Sequence, residues 1–152
     1  MNTKIIITLV IAILGLYSCS PKLQPPGYNG EVNYIRTDNK GTVTVRSLGY
    51  GRDKGESYHN AKATAFYTLL FKGLPGSDYK LPLIADENGK KDDSFVKRFL
   101  DGGYTTFITS AYTVSEATKS DKYYRSELEL TINYDALRKN LEENNVIRKF
   151  GF

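Results

Sequence analysis

Tryptophan is absent from these 152 residues, and cysteine, histidine and methionine occur once each. One cysteine excludes an internal disulfide framework, and one cysteine with one histidine cannot by themselves build a structural zinc site. The same poverty leaves little from which to assemble a nucleophile, a base and an orienting acid. Charge of one sign is not concentrated either. The formal net charge is +4, and the lysines and arginines are interleaved with acids along the chain. That is too mild and too dispersed for a nucleic-acid-binding surface, so nucleic acid is not expected as a partner; no small-molecule cofactor is expected either. What is present is ordinary for a folded protein: 40% hydrophobic and 25% charged residues, in a length that suits one domain.

The one long apolar run lies at the start. Lys4 precedes an uncharged stretch over residues 5–17, long enough for a signal-peptide core and short for a bilayer span. It ends in Leu16-Tyr17-Ser18-Cys19, which resembles a lipobox, the site at which signal peptidase II cuts before a cysteine that carries lipid. The chemistry accounts for the residue types. The Cys19 thiol is the nucleophile that takes the diacylglycerol, and the small Ser18 lets the protease reach the bond; Tyr17 is bulkier than the usual residue there. Cleavage is expected between Ser18 and Cys19, with residues 1–18 as the signal peptide and Cys19 as the lipidation site. An ordinary secretory signal with an incidental cysteine, or an N-terminal anchor helix, are the competing readings. Two or more acyl chains, palmitate among them, hold a protein on a membrane where one binds only reversibly.

Residues 19–30 hold three of the five prolines and read as a tether, with a reach of at most roughly 35 Å at full extension. By analogy with lipoprotein sorting, the absence of Asp after Cys19 directs the protein to the outer membrane, with its domain facing the periplasm.

Residues 31–152 read as a single α+β domain. Val32–Ile35 predicts a short strand, Asp38-Asn39-Lys40-Gly41 a turn, and Thr42–Leu48 the second strand of a hairpin. Asp53 and Glu56 have capping-box spacing before a helix over 54–72, in which Tyr58, Ala61, Ala65, Phe66, Leu69 and Leu70 share a face. Gly73 and Pro75 end it. Residues 74–91 predict a long loop with an apolar stretch at Leu81–Ala85, and Phe95, Val96, Phe99 and Leu100 mark a short second helix. Tyr104–Val114, apolar on both faces, predicts a central strand. The polar link 115–122 then leads into a strand with one wet face, where Leu128, Leu130 and Ile132 alternate with Glu127, Glu129 and Thr131. A last helix over 135–144 turns Leu137 and Leu141 inward. The order ββα(α)ββα predicts a two-layer sandwich, an antiparallel sheet of about four strands with helices on one face.

Candidates for chemistry each have a plainer explanation. Gly49-Tyr50-Gly51 stands between strand and helix, where phosphate-binding loops sit, but Lys54 replaces the third glycine of the common spacing; a tight turn with positive φ accounts for the same residues. His59 lacks a nucleophile beside it and reads as a surface or partly packed residue. Asp92-Asp93 and Glu142-Glu143 are adjacent in sequence and so point apart; capping and solvated faces explain them. Asp86-Glu87-Asn88-Gly89 lacks the alternating ligands of a calcium loop and reads as a turn. The twelve tyrosines are unusual for this length and favour binding over catalysis. The C-terminal segment Val146–Phe152 is expected to leave the last helix, closed by Asn144 and Asn145, as an extended piece. Its Ile147, Phe150 and Phe152 either fold back over the core or contact a partner.

A lipobox, a Pro-rich tether and then strand, Gly49-Tyr50-Gly51 and an Ala-rich helix are together similar to small bacterial lipoproteins related to the N-terminal domain of flagellar assembly protein T. Residues 71–77, Phe-Lys-Gly-Leu-Pro-Gly-Ser, and the stretch from Leu137 to Gly151 resemble small envelope lipoproteins of Bacteroidetes-type bacteria. That resemblance implies membership of an envelope protein complex, the trans-envelope complex of type VI secretion included. It brings no catalytic, cofactor or metal residues with it. The expectation is a non-enzymatic, lipid-anchored outer-membrane protein whose partners are the membrane and other envelope proteins. A periplasmic glycan- or peptide-binding module is the alternative.

Overall fold

The computed structural model describes residues 27–28, 30–38, 40–85 and 93–149. Ser18, Cys19, Phe150, Phe152, Asp92 and the Asp86–Gly89 turn lie outside the described residues. Elements run in the order β1 (Val32–Thr37), β2 (Thr42–Gly51), α1 (Lys54–Phe71), α2 (Ser94–Leu100), a 3-10 turn (Gly103–Phe107), β3 (Ile108–Ser120), β4 (Tyr123–Asn133) and α3 (Tyr134–Glu143). The strands form one antiparallel sheet in the order β1-β2-β4-β3, and the fold is an α+β sandwich.

The sheet alternates as a half-buried sheet must. On β2, Val43, Val45, Ser47, Gly49 and Gly51 are buried; opposite them β4 turns in Ile132, Leu130, Leu128 and Ser126. The outer face carries charges paired across strands, with Arg46 3.5 Å from Glu129 and Arg36 3.6 Å from the same carboxylate.

Side chains on β2 shrink from valine to serine to glycine toward Gly51, and this lets α1 descend onto the strand. A Cβ on Gly49 would overlap the backbone of Ser57 and Ala61, and one on Gly51 the backbone of Ser57 and Glu56. These glycines therefore do not make a positive-φ turn, as the sequence suggested. They lie within β2, and they are glycine because a helix backbone rests on them. Ser47 reinforces the seat by donating from Oγ to the Ala61 carbonyl at 2.6 Å.

Helix α1 begins as its sequence indicates. The Asp53 carboxylate accepts from the Glu56 N–H at 2.8 Å, and Glu56 accepts in return from the Arg52 N–H at 2.6 Å. Hydrogen bonds from Arg52 hold the Glu56 carboxyl below its ordinary range. From Ala61 onward every residue of α1 except Lys62 is buried. The helix is thus wrapped by the sheet below and by Phe99, Tyr104, Leu74 and Ile84 in the same core, instead of presenting a single apolar stripe.

Two expectations need correction around β3. Residues 104–107 are a 3-10 turn, with Tyr104 buried against Phe66 at a ring separation of 4.9 Å. The strand itself starts at Ile108 and runs to Ser120, so the turn to β4 is only Asp121-Lys122, with Asp121 at φ 55°. Its position is at the edge of the sheet and not the centre. Ala111 and Thr113 share a face with buried Leu130 and Leu128 yet are exposed, because α1 covers β2 and β4 and leaves β3 overhanging.

Candidate functional site

A groove lies beside the end of α1, and its walls follow from how that end is capped. The last turn of a helix leaves carbonyls without partners. Here Thr68 O accepts from the Lys72 and Gly73 N–H groups, with Gly73 at φ 75°. Leu69 O and Leu70 O accept from the N–H groups of Leu83 and Ile84 at 3.1 and 2.8 Å. Chain 74–84 is therefore strapped back over the helix end. A local turn shapes it: Leu74 N–H donates to Tyr79 O at 2.8 Å, and the Ser77 hydroxyl donates to Leu74 O at 2.8 Å.

The opposite wall is α3 with the chain just after it. Asn133 caps α3 by accepting from Ala136 N–H at 2.9 Å. At the other end Asn145 takes φ 57°, Val146 N–H reaches Leu141 O at 2.9 Å, and Asn145 N–H reaches Glu142 O at 3.2 Å. This is a Schellman closure, and it folds Val146 onto the core beside Leu141. Of the two fates expected for the segment, Val146 takes the fold-back one, because the left-handed closure at Asn145 buries it. Ile147 comes next, half-buried against the core, and lines the groove.

The two walls meet where Tyr79 and Tyr134 stack, centroids 3.9 Å apart. Burial pushes both phenols above their ordinary pKa, so both are neutral donors at physiological pH. Between the walls lies an open volume of about 1440 Å³. Leu81, 72% exposed, with Leu83, Val146 and Ile147 give it an apolar lining. Lys80, Arg138, Arg148 and Lys149 outnumber Asp78 and Asp135 around it. Arg138 is held by Glu142 at 3.0 Å. An apolar trough with a net positive rim suits an extended segment that carries apolar side chains and acids.

The remaining candidates resolve into structure. His59 is half-buried, its Nδ1 3.3 Å from the Tyr104 hydroxyl; burial, chiefly, pushes that phenol up to about 12. Asp93 caps α2 through Phe95 N–H at 2.7 Å, and Glu142 and Glu143 pair with Arg138 and Lys139. Among the described residues no three His, Cys, Asp or Glu gather as a metal site, and no helix is long and apolar enough to cross a membrane. Of the described tyrosines, only Tyr112 is largely exposed. The others pack: Tyr28 on Tyr67, Tyr79 on Tyr134, Tyr104 on Phe66.

Tyr79, Tyr134 and Arg138 were not singled out as site residues by their sequence. The signal that could have found the groove was the apolar stretch Leu81–Ala85 inside a loop, which needs a wall to lie on. No protein-family model, curated protein or solved structure matches this chain. The likeness to envelope lipoproteins and to flagellar assembly protein T therefore rests on the residues quoted for it.

Proposed function

We propose that the protein is a non-enzymatic lipoprotein, anchored in the outer membrane through Cys19, whose periplasmic domain is an interaction component of an envelope complex such as a secretion machine. The observation that carries this reading is the placement of the only cysteine of the chain, directly after an apolar leader and a small residue. The groove supports it by supplying a surface of the right kind. An open trough lined by Leu81 and Ile147 fits an extended protein segment. A glycan platform is less well supported, because Tyr79 and Tyr134 spend a ring face on each other.

One experiment with two arms tests the reading. Cys19→Ala should abolish labelling with a palmitate analogue and stop processing, since the thiol is the acyl acceptor; a labelled, processed Cys19→Ala chain overturns the anchor. Leu81→Asp with Ile147→Asp should leave labelling intact and strip envelope proteins that co-purify with the wild-type chain. Retention of the same co-purifying set overturns the groove as the contact.

A further inference from the structure

The geometry points to the free edge of β3 as a homodimer interface, where two copies of this chain pair antiparallel along Thr109–Ser115 and merge their sheets. Among the described residues, the strand order leaves β3 bonded on one side only. Of the three large hydrophobic residues exposed among the described residues, two stand on this strand: Tyr112 at 66% and Val114 at 44%.

The open part of the edge is bounded at both ends. Beyond Ser115, the Tyr58 hydroxyl accepts from Ala117 N–H at 3.1 Å and donates to the Glu116 carboxylate at 2.6 Å, so a helix side chain occupies that stretch. Before Ile108 stands the 3-10 turn. Between them lies Ile-Thr-Ser-Ala-Tyr-Thr-Val-Ser, with no charge, proline or glycine. Soluble proteins protect exposed edges with lysine, proline or inward charges; here the ladder irregularities after Ile108 and Thr113 are the guard. They bracket Ser110–Thr113, which keeps regular register with Thr131–Leu128 and so presents an orderly edge.

The occupant is a second copy because this segment suits itself. A two-fold axis at Tyr112 sets Tyr112 opposite Tyr112 of the second copy, Ala111 opposite Thr113, and Ser110 opposite Val114. No like charges meet, and residues facing each other lie on matching faces of the merged sheet. Tyr112 stands on the outer face across from Glu129, so the two rings come side by side and leave water. Association also stops at two copies. The other edge, β1, has six residues, an irregularity after Tyr34, and Arg36 engaged with Glu129. Pairing β3 of one copy with β1 of the next would build an open filament, and that edge does not invite it.

This interface is separate from the anchor and the groove, and its test reads mass. The full chain in detergent should sediment as a dimer of protein mass. Tyr112→Lys with Val114→Lys should halve that mass while the circular dichroism spectrum stays that of the wild type, since both side chains are exposed within one copy. Tyr112→Cys should give a disulfide-linked dimer under mild oxidation. Lys119→Cys, past the Tyr58 contact, should give no more cross-linked dimer than the parent chain. A wild-type chain of monomer mass, or a dimer that survives the two lysines, overturns the proposal.

Discussion

At its N-terminal half α1 rests on the sheet backbone to backbone, with Ser57 and Ala61 over Gly49 and Gly51. Its C-terminal half is held by Phe66, Leu69, Leu70 and Phe71, all buried among large neighbours. The two halves obey different limits. Where backbones touch, no side chain can rotate away, and any added atom must lift the helix. Where large side chains interlock, a new shape can be taken up by rotamer changes nearby. The strap 74–84 belongs to the second half, tied to Leu69 and Leu70 carbonyls. The groove therefore sits on the adaptable end, and the rigid end serves as its footing.

The sharpest way to break this comparison is to add one methyl group at the rigid end. Gly49→Ala puts a Cβ into the Ser57 carbonyl and the Ala61 amide, with no flexible atom to yield. The expected destabilisation is about 3 kcal/mol or more, at the upper end of overpacking costs and only partly offset by reduced unfolded-state freedom. A chemical-denaturation midpoint near that of the wild type would show that α1 is not seated on Gly49.

At the adaptable end a whole side chain can change shape at lower cost. Leu70 is fully buried, yet Leu70→Met conserves volume and should cost less than about 1.5 kcal/mol. The comparison fails if this variant loses as much stability as Gly49→Ala under the same denaturant series.

This difference also explains what was legible in the sequence. The cap at Asp53 and Glu56 announces where α1 starts, because one side chain and one N–H three residues on are a local pair. Alternation from Leu128 to Ile132 announces a strand with one wet face for the same reason. Gly49 and Gly51 were legible as special but not as to why. A positive-φ turn and a close helix approach both ask for glycine, and only the helix position separates them. The edge location of β3 was hidden because Tyr104 and Phe107, read as part of an apolar strand, belong to the turn that packs near α1, and Thr and Ser serve an edge as well as a centre. The groove was hidden more deeply. Its near wall is fixed by main-chain bonds from Leu83 and Ile84; the apolar stretch Leu81–Ala85 announces that this loop packs, but not onto which carbonyls.

Tyr104 spans the boundary between the two halves, and pH can read its share. Its ring stacks on Phe66 of the adaptable end, while its hydroxyl lies 3.3 Å from His59 Nδ1 and 3.4 Å from His59 O toward the rigid end. Burial, with smaller contributions from Tyr28 and Asp101, pushes the phenol up to about 12 from an ordinary value of 10.0. The folded state thus resists losing this proton more than the unfolded chain does. The associated stability is complete below about pH 10 and disappears as pH rises toward 12, an effect of about 2–3 kcal/mol for a shift of this size. Tyr28, Tyr79 and Tyr134 are raised in the same direction, so wild-type protein should lose stability steeply on the alkaline side. Tyr104→Phe keeps the stack and discards long hydrogen bonds, so at about pH 7 it should cost no more than about 1 kcal/mol. Between about pH 10 and pH 12 its melting temperature should fall less steeply than that of the wild type. Parallel melting curves across that interval would show that the buried phenol does not report on the seam between the two ends of α1.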